Sequence, residues 1–263
     1  MTIHTITASS QQSIARHCLA IAFEAGNITL KYHRTGTDTL EKDDGSPVTR
    51  ADREAETHVL ARLKEIAPHI PVVGEESVEA GCIPDISSGT FFLVDPLDGT
   101  REFVAGGDSY SVNIALLENF RPIVGVIHVP AKGQSFFSDG DNAYELINGT
   151  EHKITARQAP VAGLTVIHSK RHDRKEELDT LLKDHTVAER ISCSSAVKFC
   201  LIAKGEADLY PRLGPTSEWD TAAGEAILHT AGGRVTQMDG RPLVYGGTDR
   251  KFLNPPFIAC GAA

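Results

Sequence analysis

Phe91-Phe92-Leu93-Val94 is an unbroken apolar run that ends abruptly in Asp95-Pro96-Leu97-Asp98-Gly99-Thr100. Such a run predicts a buried strand, and Pro96, which lacks an N–H, predicts that the strand stops and the chain turns through Gly99. Two carboxylates three residues apart then share one turn at the strand's tip. A hard cation such as Mg²⁺ takes oxygen ligands at about 2.0–2.1 Å in octahedral geometry, and Asp95, Asp98 and an intervening carbonyl, that of Leu97, can supply several. A solvated Asp-Gly turn is the competing reading of the same residues.

The pattern recurs. Pro71-Val72-Val73-Gly74 predicts a second short strand, followed by Glu75-Glu76-Ser77, where adjacent like charges are costly unless water or a cation surrounds them. An exposed acidic loop is the alternative. Trp219-Asp220-Thr221-Ala222-Ala223-Gly224 predicts a helix starting at Asp220, which can serve as an N-cap, as a metal ligand, or as both. The free amides of a helix start also favour a phosphate. Asp52 falls in the first turn of another predicted helix, where a carboxylate complements the dipole without any further role. Thr100 can hold its hydroxyl near the carboxylates, and a Thr–Asp pair can orient a water and take its proton. Spacing alone does not assign that task.

Hydrophobic periodicity places helices over Ser13–Tyr32, on a stripe of Ile14, Cys18, Ile21, Ala25 and Ile28, and over Ala51–Ile66, with Gly36–Pro47 as a break between them. Strands are expected at Tyr110–Leu117, Ile123–Val129, Ser135–Ser138 and Ala143–Ile147, forming a mostly antiparallel sheet. A polar connection at Gly149–Pro160 precedes a strand at Leu164–His168 and helices near Lys175–Asp184, Ala196–Lys204 and Asp220–Thr230. The reading is an α+β chain of layered helices and sheets, divided near residue 158 into lobes 1–158 and 159–263.

No apolar stretch approaches the roughly 20 residues needed to cross a bilayer, and Arg16, His17 and Glu24 interrupt the N-terminal apolar run, so a cleaved signal is not expected. A cytoplasmic location is expected, with the inner face of a membrane as an alternative. Five cysteines without a Cys-x-x-Cys pair suit a reducing compartment and are expected to be packing residues. A formal net charge of −9 argues against a general grip on nucleic acid. A phosphorylated small molecule would then need local help from metals or basic side chains.

Taken together, Gly74-Glu75-Glu76-Ser77, Asp95 to Thr100 and Trp219 to Gly224 resemble the lithium-sensitive, magnesium-dependent phosphatase superfamily of inositol monophosphatase and fructose-1,6-bisphosphatase over nearly the full chain. The stretch from Ser195 through Lys198 and Arg212 to Asp220 resembles more specifically its 3'(2'),5'-bisphosphate nucleotidases of the CysQ type. The resemblance implies an αβαβα sandwich with the site between two lobes. It implies two or three Mg²⁺ ions on Glu75, Asp95, the Leu97 carbonyl, Asp98 and Asp220, with Asp52 and Thr100 activating water. The nucleotide would meet Gly99, Thr100, His172, Ser195, Lys198 and Arg212. Lys198 and Arg212 suit the phosphate that is not cleaved, although solvated surface charge is the usual fate of such side chains. His168-Ser169-Lys170-Arg171-His172 departs from the Ser-rich family version, and the His168/His172 spacing could suit zinc but lacks a third ligand.

The implied reaction removes the 3'-phosphate of 3'-phosphoadenosine 5'-phosphate, a by-product of sulfate assimilation, giving AMP and phosphate. The sulfated analogue is a second candidate substrate. An inositol monophosphatase would share every metal residue and differ in the pocket, and a silent nucleotide-binding regulator would be expected to lack one of the catalytic carboxylates. The expected assembly is a monomer or a homodimer.

Overall fold

The structure is a computed structural model that describes residues 6–36, 39–41, 47–169 and 174–262. The first part of the chain runs α1 (Ala8–Thr35), β1 (Thr39–Glu41), β2 (Pro47–Thr49), α2 (Arg50–Ile66), β3 (Val72–Gly74) and α3 (Glu75–Glu79). It continues through β4 (Phe91–Asp98), α4 (Thr100–Val104), β5 (Ser111–Glu118), β6 (Arg121–Val129), β7 (Gln134–Ser138), β8 (Ala143–Ile147) and β9 (Thr150–Ile154). Then follow β10 (Leu164–Ser169), α5 (Lys175–Leu181), β11 (Val187–Cys193), α6 (Val197–Ala203) and β12 (Leu209–Arg212). The last elements are α7 (Ala222–Thr230), β13 (Arg234–Gln237) and β14 (Phe257–Cys260).

β3 to β9 form a seven-stranded sheet in sequence order, parallel only between β3 and β4 and antiparallel thereafter. A five-stranded sheet has the order β11-β10-β12-β14-β13, and β1 pairs with β2 on its own. The apolar run of β4 is continuous because both of its faces are covered. Phe92 and Val94 join α1, α2 and the facing residues of β5 and β6 in one core, whereas Phe91 and Leu93 face α6 and α7 in another. That second core also contains Ile167, Tyr210 and Phe257 of the smaller sheet, so α6 and α7 lie between two sheets. Leu178 and Leu182, in and just after α5, pack on Val166 from the far side of the smaller sheet. The layers are therefore αβαβα, as the resemblance implies. Among the described residues no helix is long and apolar enough to cross a membrane.

Several expectations need correction. α1 begins at Ala8 rather than Ser13, because Thr7 caps it through the amide of Ser10. β4 does not stop at Pro96. β3 pairs with it only as far as Gly74 opposite Val94, and the β4–β5 register shifts between Asp95 and Asp98. Pro96 therefore sits in a bulge beyond the β3 ladder, where its missing N–H breaks nothing. The connection expected from Gly149 contains β9, an edge strand whose residues 150–153 are exposed. The cysteines are all free thiols, but Cys82 is exposed rather than packed.

α7 owes its position to small residues. A Cβ on Gly125 of β6 would lie 2.2 Å from the Ala223 carbonyl oxygen, and one on Gly224 would lie 2.4 Å from the Phe199 ring. The Ala222-Ala223-Gly224 start of α7 thus lies directly on the large sheet, which carries Asp220 toward the tip of β4.

Candidate active site

At the tip of β4 one carboxylate is held locally and the other from distant parts of the chain. The Leu97 amide donates to Asp95 Oδ1 at 2.9 Å. Asp98 Oδ2 accepts from Asn113 Nδ2 of β5 at 3.4 Å and from the backbone amide of Ala196, just before α6. Asp220 is not the N-cap of α7. It ends a short 3-10 turn, Glu218–Asp220, and its Oδ2 takes the Ser217 amide at 2.8 Å, while Thr221 stands at the N-cap of α7.

One carboxylate oxygen from each of Asp95, Asp98 and Asp220 lies within 4.8 Å of the others. Burial first, and then repulsion from Glu75, Asp98 and Asp220, pushes the Asp95 carboxyl well above the usual range. Burial likewise raises Asp98, and burial with repulsion from Asp98 raises Asp220 to about 7. An all-oxygen donor set that resists its own ionisation is what a hard divalent cation relieves, so these residues fit magnesium. The Leu97 carbonyl faces the same turn, where it lies 3.1 Å from Thr100 Oγ1.

Thr100 Oγ1 is also 3.1 Å from Asp52 Oδ1. The other oxygen of Asp52 accepts the amide and the hydroxyl of Thr49, each at 2.7 Å, closing a capping box at the start of α2. The first-turn role and the contact with Thr100 therefore coexist. Burial, partly offset by these bonds, raises Asp52 to about 6. Gly99 adopts the left-handed region at φ 94°, and a Cβ there would press to 3.1 Å from the Ser109 carbonyl, so glycine is required for the turn that delivers Thr100.

Glu75 opens α3 directly after β3. Because Gly74 pairs with Val94, the next residues, Glu75 and Asp95, leave neighbouring parallel strands at the same level.

The opposite wall comes from the smaller sheet and α6. Ser195 has a left-handed φ of 56°, an uncommon conformation for serine that turns the chain into α6. Lys198 is buried, donates to the Ser195 carbonyl and lies 5.3 Å from the centre of the Tyr210 ring. Burial lowers its pKa while Asp98 opposes the change. Arg212 is buried, donates through Nη2 to the Pro215 carbonyl at 2.7 Å, and has a buried Nε–H with no hydrogen-bond acceptor among the described residues. Lys198 and Arg212 are thus not solvated surface charges.

A cavity of about 510 Å³ joins the two walls, lined on one side by Glu75, Asp98, Thr100 and Asp220 and on the other by Ser195, Lys198 and Arg212. Gly99 lines it too, whereas Asp52, Asp95 and Leu97 stand behind the lining. His172 lies outside the described residues, which leaves the His168/His172 pair without a description. Sequence reasoning missed two supports. Asn113 braces Asp98, and buried Glu56, one turn after Asp52 on α2, accepts from the amides of Glu76 and Ser77 at 2.8 Å each. A charged residue beside the buried Ala55 and Val59 was the available signal.

The model of the inositol monophosphatase family matches residues 10–256. The chain belongs to that family. Within it the chain is of the CysQ type. The 3'(2'),5'-bisphosphate nucleotidase CysQ of Salmonella typhimurium is 40% identical over 241 residues, covering 90% of this chain and 95% of the relative. CysQ of Bacteroides thetaiotaomicron, a bacterial member of the family, superposes with a TM-score of 0.81 at 35% identity, covering 96% of this chain and 98% of the other. An inositol monophosphatase from Thermotoga maritima, at 23% identity and a TM-score of 0.75, covers 92% of this chain and 90% of its own and shares the fold.

Proposed function

We infer that this chain is a magnesium-dependent 3'(2'),5'-bisphosphate nucleotidase that hydrolyses the 3'-phosphate of 3'-phosphoadenosine 5'-phosphate to AMP and phosphate. One observation carries the substrate: a single cavity faces carboxylates on one side and two buried cations, Lys198 and Arg212, on the other. A ligand with two separated anionic groups suits such a cavity, and Arg212, whose buried Nε–H has no acceptor among the described residues, can donate to one of them. The CysQ relative in Salmonella typhimurium, similar over nearly the whole chain, supports the same activity.

Glu75, Asp95, the Leu97 carbonyl, Asp98 and Asp220 would hold two or three Mg²⁺ ions. When bound, magnesium supplies positive charge for the phosphoryl oxygens and the leaving ribose oxygen. The chain's own work is orientation and proton transfer. Thr100 Oγ1, donating to Asp52 Oδ1, turns its lone pairs to the attacking water and relays the water's proton to Asp52. In the metal-free site burial raises that carboxyl to about 6. Attack forms the new P–O bond, the bond to the ribose 3'-oxygen breaks, and that oxygen takes a proton from solvent water while Asp52 later returns its own to solvent. Lys198 and Arg212 grip the 5'-phosphate, and Ser195 and the backbone at Gly99 frame the nucleotide. With lobes divided near residue 158, the basic wall comes from the second lobe, and the acidic wall takes Asp220 from the second and its other carboxylates from the first.

The test measures phosphate release from 3'-phosphoadenosine 5'-phosphate, inositol 1-phosphate and fructose 1,6-bisphosphate, with and without Mg²⁺. The adenosine bisphosphate is expected to lead in kcat/KM by about 100-fold, a difference of about 2.7 kcal/mol. Equal or faster turnover of inositol 1-phosphate would assign the cavity to inositol phosphates instead.

A further inference from the structure

We propose that Glu56 is a positioning residue for magnesium binding: its carboxylate locks the turn carrying Glu75 onto the helix that also carries Asp52. The proposal rests on the reading of Glu75 as a metal ligand. α3 starts at Glu75, and its N-cap, Gly74, has no side chain with which to cap the first amides. Glu56 takes that place from a distance. Its Oε2 accepts from the Glu76 amide at 2.8 Å, and its Oε1 accepts from the Ser77 amide at 2.8 Å and the Ser77 hydroxyl at 2.6 Å. An ionised carboxylate is an acceptor at both oxygens, so the three donors suit it without conflict. The carboxylate occupies the space a side chain at 74 would need, since a Cβ there would lie 2.6 Å from the Glu56 carboxyl carbon.

The need for such a lock follows from topology. β3 has three residues and pairs only with β4. Its ladder sets Glu75 level with Asp95 but ends at Gly74. Asp52 and Glu56 are four residues apart on α2 and so project from one face. The first contacts Thr100 and the second holds the Glu75 turn, so one rigid helix spaces the water-activating group from a metal ligand. Groups that orient a ligand residue typically change metal affinity by about 10–100-fold when altered.

Glu56→Gln keeps the shape but turns an amide NH₂ toward the turn's own N–H donors. With the full-length chain and no substrate, calorimetric titration with Mg²⁺ is expected to show a dissociation constant raised about 10–100-fold over wild type. At saturating Mg²⁺ the KM for 3'-phosphoadenosine 5'-phosphate stays within about threefold of wild type, since uniform binding of the nucleotide is untouched. A lowered melting temperature with an unchanged Mg²⁺ constant would make Glu56 a structural residue only and overturn the proposal. Should Glu56→Gln not fold, Ser77→Ala carries the test: it removes one of the three bonds, a weakening of about threefold is expected, and no change overturns the idea. Wild-type protein that binds no Mg²⁺ would instead sink the metal reading of Glu75 itself.

Discussion

The acidic and basic walls of the cavity are built differently. Asp95, Asp220 and Asp52 are short side chains held by amides two or three residues away, those of Leu97, Ser217 and Thr49. Lys198 and Arg212 are long side chains that reach from α6 and β12 and rest on carbonyls, those of Ser195 and Pro215. Each of these bonds spans only two or three residues; the walls differ in what answers the charge, N–H donors for the carboxylates and carbonyl oxygens for the cations, while Asp98 is held from farther off, by Asn113 and the Ala196 amide. Burial acts against the charge on both walls, raising the aspartates and lowering Lys198. Asp98 and Lys198 counter this for each other, which couples the walls electrostatically before any ligand enters.

Removing one acidic ligand tests this contrast hardest. Asp95→Asn keeps an oxygen for the Leu97 amide but loses a charge that magnesium requires. Turnover of the adenosine bisphosphate is expected to fall on the order of 10³-fold. The melting temperature without Mg²⁺ should rise, because a buried, repelled carboxylate is gone. Wild-type turnover in this variant would remove Asp95 from the metal site.

The basic wall should respond in KM rather than kcat. Lys198→Ala is expected to raise KM for the adenosine bisphosphate about 100-fold, in the range for a desolvated charge partner. For inositol 1-phosphate, which lacks the second phosphate, the change should stay within about threefold, as for a group that provides uniform binding to one anion only. Steady-state kinetics on both substrates decides the matter, and equal shifts would deny Lys198 its phosphate.

The two constructions also explain what was legible in the sequence. Runs such as Phe91 to Val94, covered on both faces, announce buried strands, and the carboxylates that follow them mark the acidic end from local pattern alone. Pro96 misleads because a proline is read as a stop, whereas the bulge at Asp95 to Asp98 depends on β3 ending one residue earlier. β9 and β11 escape notice because edge strands need little apolar pattern, and β12 because Pro211 falls where β10 no longer pairs with it. Asp220 was assigned to a helix start two residues too early, since a 3-10 turn and an N-cap use the same residue types. Glu56 carries no motif. Its function depends on where β3 brings the Glu75 turn, which is tertiary information. For Lys198 and Arg212, resemblance identified what periodicity could not.

Glu225 offers a buried carboxylate of the opposite kind, matched with protein groups instead of a metal ion. It sits on α7, accepts from Tyr245 Oη at 2.7 Å and from Arg121 Nη2 at 3.1 Å, and burial raises it to about 7. The folded state therefore holds a proton that the unfolded chain, near 4.5, has released. Its contribution to stability is full below about 4.5 and is lost as pH rises through 7. Glu225→Gln has no such dependence. Relative to wild type the variant should gain about 2 kcal/mol between pH 5 and pH 8, read from denaturant melts. The gain should be the same with and without Mg²⁺. A gain that vanishes when Mg²⁺ is added would tie Glu225 electrostatically to the aspartate cluster and erase the distinction between a carboxylate balanced by protein and one that requires a metal.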